Sequence, residues 1–263
     1  MSRGELSPER YARLALEIAT AAGALLLGGY RKRPVPTEKA KRDLVTEFDV
    51  KSEALIVARL SAATPELGIV AEESGGQVRQ LTWFCDPLDG TMNFVHGHPF
   101  WAVSIGLLDD KTPVAGAVVA PALGLSWIGF AGGAALRNGE VCRVSETSDL
   151  EQALVATGFP PDRRTAPANN LDSFARVKKV AQGVRRCGSA AIDMCLVADG
   201  TYDAYWERRL NAWDVAAGAA VVLSAGGQLG ALDGGPVDLH VGQLVASNGR
   251  VHEALRALVN GGT

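Results

Sequence analysis

The chain has few cysteines, and none of them is spaced as a pair. It contains 4 cysteines in 263 residues, with no CxxC motif. All four lie in apolar or helical stretches: Cys85, Cys142, Cys187 and Cys195. A disulfide framework is therefore not expected, and these side chains are predicted to be buried, reduced thiols.

Long apolar runs and a signal-peptide layout are missing as well. The longest early apolar run covers residues 18–29, which is too short to cross a bilayer. Residues 1–5 do not carry the charged-then-apolar order of a signal peptide. We therefore expect a cytoplasmic protein that has no membrane partner.

Neither sign of charge is in excess. The formal net charge is −3, and 47% of the residues are hydrophobic, which is enough for a buried core. Binding to nucleic acid would need a broad surplus of Lys and Arg, so no nucleic-acid partner is expected. One basic cluster covers residues 31–33, Lys39, Lys41 and Arg42. The preferred interpretation is a solvated loop, and the alternative is electrostatic steering of an anionic substrate.

The most informative segment is DPLDGTMNF, from Asp86 to Phe94. A proline restricts the backbone between Asp86 and Asp89, so both carboxylates can face a metal ion from one side. The Gly-Thr that follows offers backbone N–H groups to an anion. The apolar run LTWFC at 81–85 has strand character, which places Asp86 at the carboxyl end of a strand. The segment is predicted to be a turn that binds phosphate and metal.

Two further acidic segments accompany this turn, GIVAEES at 68–74 and AWDVAAG at 212–218. In this order the three segments resemble the inositol monophosphatase family, whose signatures are DPxDGTTNF, a preceding GEES-like segment and a following WDVAAG. The resemblance covers nearly the whole chain. Met92 replaces the second Thr of the turn and Ala71 replaces the Gly before the acidic pair. Neither position is a metal ligand, and Met92 removes only a hydroxyl group beside the phosphate.

The resemblance implies a layered α/β or α+β fold, the five-layer α/β/α/β/α sandwich of sugar phosphatases. It would form one domain over 1–263, with a metal- and phosphate-binding half at 1–150 and a second α/β half at 151–263. The sequence pattern is compatible with this fold. Helices are predicted near 8–29, 46–63, 169–181, 190–199 and 214–225, and strands near 68–72, 82–86, 101–108, 113–120, 124–130, 152–157, 202–206 and 244–247. A homodimer is also expected.

The resemblance further implies two Mg²⁺ ions in each active site. The first would be held by Glu72, Asp86 and the carbonyl of Leu88, and the second by Asp86, Asp89 and Asp214. Oxygen ligands of this kind suit magnesium, which retains water and leaves room for phosphate. Two histidines near the turn, His96 and His98, are interpreted as loop residues, because imidazole suits other metals better.

Three residues are implied in activating water: Glu72, Thr91 and Asp49. Glu72 and the Thr91 hydroxyl would orient the attacking water. Asp49 would accept a hydrogen bond from that hydroxyl or reach a weaker third metal site. Glu73 is left outside the metal set, either as a structural acceptor or as a partner of Lys39.

Substrate contacts are implied in both halves of the chain. The backbone N–H groups of Gly90 and Thr91 would hold the phosphate oxygens. The alcohol part of the substrate would be contacted by Asp89, Ser189, Ala190 and Glu207. The adjacent Arg208 and Arg209 are interpreted as surface charges, with a role at the substrate as the alternative.

The leading prediction is a Mg²⁺-dependent phosphomonoesterase that hydrolyses myo-inositol 1-phosphate or a related polyol phosphate. Histidinol phosphate, fructose 1,6-bisphosphate and sugar 1-phosphates are alternative substrates, and a nucleotide 3′-phosphate is the least expected. A phosphatase with an aspartyl-phosphate nucleophile needs acids two positions apart, whereas Asp86 and Asp89 are three apart. A non-catalytic binding protein on this fold is the third possibility, but none of the implied acidic ligands is missing.

Overall fold

The computed structural model describes residues 7–40, 43–160, 163–166 and 169–262, with the backbone alone at 38–40 and 43. The helices are α1 (Pro8–Leu27), α2 (Glu47–Ala63), α3 (Thr91–His96), α4 (Leu171–Val180), α5 (Ala190–Ala198), α6 (Ala212–Ser224) and α7 (His252–Val259). The strands are β1 (Thr37–Ala40), β2 (Asp43–Val45), β3 (Gly68–Ala71), β4 (Gly75–Gln77), β5 (Leu81–Asp89), β6 (Ala102–Asp109), β7 (Thr112–Ala120), β8 (Leu125–Phe130), β9 (Leu136–Arg137), β10 (Glu140–Val141), β11 (Leu154–Thr157), β12 (Gly183–Arg185), β13 (Ala204–Arg208), β14 (Gln228–Ala231) and β15 (Gln243–Ser247).

These elements stack as five layers. Helices α1 and α2 cover one face of an eight-stranded sheet with the order β10-β9-β8-β7-β6-β5-β3-β4. Helices α5 and α6 lie between that sheet and a five-stranded sheet with the order β12-β11-β13-β15-β14. Helices α4 and α7 cover the outer face of the smaller sheet. The expected α/β/α/β/α layering is therefore confirmed, whereas the division of the chain near residue 150 stays a prediction.

The predicted elements agree with the observed ones except at particular ends. Helix α6 begins at Ala212 rather than Asp214, because Asn211 is its N-cap. Strand β5 runs on to Asp89, beyond the predicted end at residue 86. Eight observed elements were not predicted: strands β1, β2, β4, β9, β10, β12 and β14 and helix α7. Each is too short for its apolar period to stand out in the sequence.

A stripe of glycines lets helix α6 lie directly on the large sheet. Gly106, Gly116 and Gly129 occupy paired positions on β6, β7 and β8. A Cβ atom at any of them would come within 2.4 to 2.6 Å of backbone atoms of α6. Because atoms cannot approach so closely, only glycine allows this separation between helix and sheet. The stripe thereby sets the position of the first turn of α6, which carries Asp214.

The cysteines are unpaired, and their burial differs from one to another. None of the four cysteines, all within the described ranges, forms a disulfide. Cys85 and Cys195 are buried, and burial raises the pKa of both thiols. Cys142 and Cys187 are only half-buried, so the prediction of burial is wrong for these two. Within the described ranges, no helix is long and apolar enough to span a bilayer.

Candidate active site

A bulge in β5 places Asp86 and Asp89 at one pocket. Asp86 pairs with Ser104 of β6 and Asp89 pairs with Ala102, so β5 contains one extra residue between them. In a regular strand, residues three apart point to opposite faces, and the extra residue brings the two carboxylates back to the same side. The Leu88 N–H donates to Asp86 Oδ1 at 2.9 Å, which holds the bulge.

Glu72 reaches the same pocket from the neighbouring strand. Strand β3 runs parallel to β5, with Ala71 beside Cys85, and Glu72 follows directly after β3. The Glu72 N–H donates to the Cys85 carbonyl at 3.1 Å. The carboxyl ends of two adjacent parallel strands thus bring Glu72 next to Asp86, as expected for ligands in α/β layers.

Asp214 comes from the second half of the chain. It is the third residue of α6, and its Oδ2 accepts a hydrogen bond from the Asn211 N–H at 2.6 Å. Asn211, the N-cap residue, and Asp214 form a capping box, which fixes the position of the Asp214 carboxyl group. The Ser104 hydroxyl donates to the Trp213 carbonyl at 3.4 Å, which ties this turn to β6.

The four acids line one cavity of about 530 Å³ together with Leu88, Gly90 and Thr91. The pKa of Asp86 is raised well above its usual range, first by burial and then by repulsion from Glu72, Asp89 and Asp214. Within the described ranges, no three acidic, His or Cys side chains converge as ligands around one point. The four carboxyl groups nonetheless suit a hard divalent cation, because its positive charge would relieve the repulsion among them.

Three of the acids are each held in position by hydrogen bonds to one carboxylate oxygen. Asp86 engages Oδ1, whereas Asp89 and Asp214 engage Oδ2. The N-terminus of α5 faces Asp89. The Ser189 hydroxyl and the Ala191 N–H donate hydrogen bonds to Asp89 Oδ2 at 2.6 Å and 2.7 Å, respectively. Burial raises the pKa of Asp89 to about 6, and these hydrogen bonds oppose the rise.

Thr91 and Asp49 form a hydrogen-bonded pair at the edge of the pocket. The Thr91 hydroxyl lies 2.9 Å from Asp49 Oδ1 and 3.0 Å from the Leu88 carbonyl, and it can donate to one of them at a time. Asp49 Oδ2 accepts from both the N–H and the hydroxyl of Thr46, in the capping box of α2. Burial raises the pKa of Asp49. Since both oxygens of Asp49 are engaged, the geometry favours the hydrogen-bonding role over a third metal site.

Gly90 begins the short helix α3 in a left-handed conformation, with φ of 93°. A Cβ atom there would lie 3.0 Å from the Phe100 carbonyl and 3.2 Å from the Gly188 carbonyl. Both the φ angle and the close approach therefore require glycine. Asn93 Nδ2 donates to the carbonyls of Phe100 at 2.6 Å and Cys187 at 2.8 Å, which joins this turn to the second half of the chain.

A smaller polar cavity of about 160 Å³ adjoins the pocket and shares Asp89 and Asp214 with it. It is lined by three predicted substrate residues, Ser189, Ala190 and Glu207, and by Asp193 and Arg186. Burial raises the pKa of Glu207 to about 7, although the Tyr205 hydroxyl donates to Glu207 Oε2. The expected alcohol-binding residues therefore share one cavity.

Sequence reasoning missed several pocket residues. Arg163, Arg186 and Phe159 line the larger cavity, and Asp193 lines the smaller one. No motif marked the first three. Asp193 carried a signal, because it is the one charged residue in the otherwise apolar segment AAIDMCLVA of α5.

Other candidates lie away from the pocket. Arg208 projects from β13 on the face opposite Glu207 and donates to Gln243 Oε1 and Asn260 Oδ1, both at 3.3 Å. The position of Arg208 therefore agrees with the preferred interpretation, in which this residue does not contact the substrate. Residues 31–33 are exposed, as a solvated loop would be, whereas the side chains of Lys39, Lys41 and Arg42 lie outside the described residues. The suggested pairing of Glu73 with Lys39 consequently lies outside them too.

A layered α/β/α/β/α sandwich with an acidic pocket beside a phosphate-type turn defines the sugar-phosphatase class of fold. Comparison with known proteins identifies the family within this class. Residues 7–261 match the profile of the inositol monophosphatase family. An inositol-1-monophosphatase of Synechocystis is 42% identical over 92% of this chain and 86% of that protein. The Nus factor SuhB of Pseudomonas aeruginosa is 39% identical over 92% and 93% of the two chains.

Solved structures agree with the sequence comparison. The inositol monophosphatase of Anabaena superposes with a TM-score of 0.89 at 38% identity, covering 97% of both chains. The suhB protein of Bartonella henselae gives a TM-score of 0.89 at 34% identity, covering 95% of this chain and 98% of that one. The chain belongs to the inositol monophosphatase family, and it is a phosphatase.

Proposed function

We propose that this phosphatase hydrolyses myo-inositol 1-phosphate, or a closely related polyol phosphate, with Mg²⁺ as its cofactor. One observation carries the proposal: four acids from β3, β5 and α6 line a single cavity beside the Gly90-Thr91 turn. Relatives named inositol-1-monophosphatase support the choice of substrate. Histidinol phosphate, fructose 1,6-bisphosphate and sugar 1-phosphates remain the alternative substrates, and a homodimer stays a prediction.

For the cofactor, Glu72, Asp86 and the Leu88 carbonyl would hold one ion, and Asp86, Asp89 and Asp214 a second. When bound, Mg²⁺ supplies a more acidic water molecule and neutralises charge on the phosphoryl oxygens. The proposed ligands are all carboxylate or carbonyl oxygens, which fit magnesium better than a softer metal.

The chain's own groups would orient the nucleophile and the phosphate. Because the Thr91 hydroxyl donates its hydrogen bond to Asp49, the lone pair on its oxygen can accept a hydrogen bond from the attacking water and orient it. Glu72, at the end of β3, would be the second acceptor for that water. The backbone N–H groups of Gly90 and Thr91 would bind the phosphoryl oxygens, since only glycine lets the chain approach so closely there.

The alcohol part of the substrate would extend into the smaller cavity. Ser189 and Asp89 are already bonded to each other, so their contact with substrate would use their remaining lone pairs. Ala190 would offer its backbone, and Glu207 would accept from a hydroxyl group. Asp49, Glu72 and Thr91 are thus proposed for catalysis, and the remaining residues for recognition.

A phosphate-release assay over a panel of esters tests this function. We expect the highest kcat/KM for inositol 1-phosphate, no release in excess chelator, and recovery on adding Mg²⁺. The panel should include histidinol phosphate, fructose 1,6-bisphosphate, a sugar 1-phosphate and an aryl phosphate. Undiminished release in excess chelator would contradict the metal mechanism, and a preference for another ester would reassign the substrate.

A further inference from the structure

The carboxyl group of Asp193 is buried, and within the described residues one of its two oxygens has no hydrogen-bond partner. It lies in α5 and is 1% exposed, and its Oδ1 has no partner within the described ranges. An acceptor taken out of water without a donor destabilises a folded protein, so buried carboxyl groups are nearly always paired. The donor that would satisfy Asp193 is therefore expected to be something that binds to the protein.

The position of Asp193 indicates what that ligand is. Asp193 lines the cavity of about 160 Å³ that also contains Glu207, and this cavity joins the catalytic pocket at Asp89 and Asp214. A phosphate ester whose phosphorus atom lies beside Asp89 would extend its alcohol part toward Asp193. The unpartnered acceptor thus lies where a leaving group is expected.

The charges around the cavity favour a neutral hydrogen-bond donor. Burial raises the pKa of both Asp193 and Glu207, and the guanidinium of Arg186, which lines both cavities, opposes part of that rise. Because burial favours the uncharged forms of Asp193 and Glu207, their attraction for a cationic group in the ligand is weakened, and the guanidinium of Arg186 would repel such a group. Hydroxyl groups can donate to both carboxyl groups without that penalty.

We propose that Asp193 is a specificity-determining residue, which accepts a hydrogen bond from a substrate hydroxyl other than the one bound by Glu207. The proposal rests on the proposed function, and it narrows the substrate class to alcohols with at least two hydroxyl groups near the ester. Ligands with a single hydroxyl would leave Asp193 unsatisfied. They should therefore be poor substrates.

The test compares Asp193→Ala and Asp193→Asn with the wild type on two substrates, inositol 1-phosphate and a simple aryl phosphate. We expect Asp193→Ala to lower the ratio of the two kcat/KM values by about tenfold or more, as loss of a hydrogen bond to a carboxylate implies. For Asp193→Asn, the ratio of kcat/KM values should lie between those of the wild type and Asp193→Ala, because the amide oxygen of the variant still accepts a hydrogen bond. The ratio removes losses that a folding defect would cause on both substrates alike.

Asp199 provides a matched control on the same helix. It caps the other end of α5, its side chain is 1% exposed, and its Oδ2 accepts from the Trp127 Nε1–H at 3.0 Å. Asp199→Asn should lower stability and leave the substrate ratio unchanged. The proposal would be overturned if Asp193→Ala left the ratio of kcat/KM values unchanged. It would also be overturned if the wild type preferred an amino-alcohol phosphate and lost that preference in Asp193→Ala. If the wild type released no phosphate from any ester, the proposed function would fail instead.

Discussion

The buried carboxyl group of Glu207 makes the stability of the protein depend on pH. Burial raises the pKa of Glu207 to about 7 from an ordinary value of 4.5. A raised folded-state pKa means that the folded protein binds the proton more tightly than the unfolded chain does. The stabilisation is therefore complete below pH 4.5 and is lost as the pH rises through about 7. The side chain is only 9% exposed, so solvent screens little of this effect.

Glu207→Gln removes the titrating group and keeps the shape of the side chain. From the two pKa values, the free energy of unfolding of the wild type should fall by about 2.5 kcal/mol relative to the variant between pH 5 and pH 8. Urea unfolding of both proteins at the two pH values, in the presence of chelator, measures this change. The chelator is needed because a bound cation would alter the neighbouring carboxyl groups.

Glu140→Gln is the control, because Glu140 is exposed and its carboxyl group stays in water on folding. Its difference from the wild type should not change between pH 5 and pH 8. If the Glu207→Gln difference is equally constant, the carboxyl group of Glu207 is not desolvated as its burial implies. The explanation of its raised pKa would then be refuted.

Three further predictions concern the acids and the fold. Asp89→Asn and Asp214→Asn should each lower turnover by about a hundredfold or more while circular dichroism stays unchanged, and a fully active variant would remove that residue from the site. Mg²⁺ affinity should weaken by at least about tenfold between pH 7 and pH 5 in a calorimetric titration, because Asp89, with a pKa of about 6, must lose its proton to bind metal, and the raised pKa values of Asp86 and Asp214 act in the same direction. Gly116→Ala should destabilise the protein by about 1–3 kcal/mol in urea, since its Cβ would lie 2.6 Å from the backbone of α6, and unchanged stability would contradict the described packing.

Local sequence was enough to predict the elements that carry the motifs. The Ser7-Pro8 start of α1 and the apolar run before Asp86 are local signals, because caps and alternation depend on neighbouring residues. The conformation of the DPLDGT turn is likewise a local property, because its proline restricts the backbone angle φ and its glycine permits a left-handed conformation. The resemblance carried by three motifs then led to the layered sandwich, which the structure confirms.

Tertiary structure alone decided how distant residues meet. The parallel pairing of β3 with β5 brings Glu72 beside Asp86, and the bulge in β5 turns Asp89 to the same pocket. The glycine stripe under α6 sets the distance at which Asp214 faces them. The unpartnered Oδ1 of Asp193 could not be foreseen either, although the apolar sequence of its helix indicated burial. Burial and hydrogen bonding depend on which elements pack together across the chain, and no local pattern of residues encodes that.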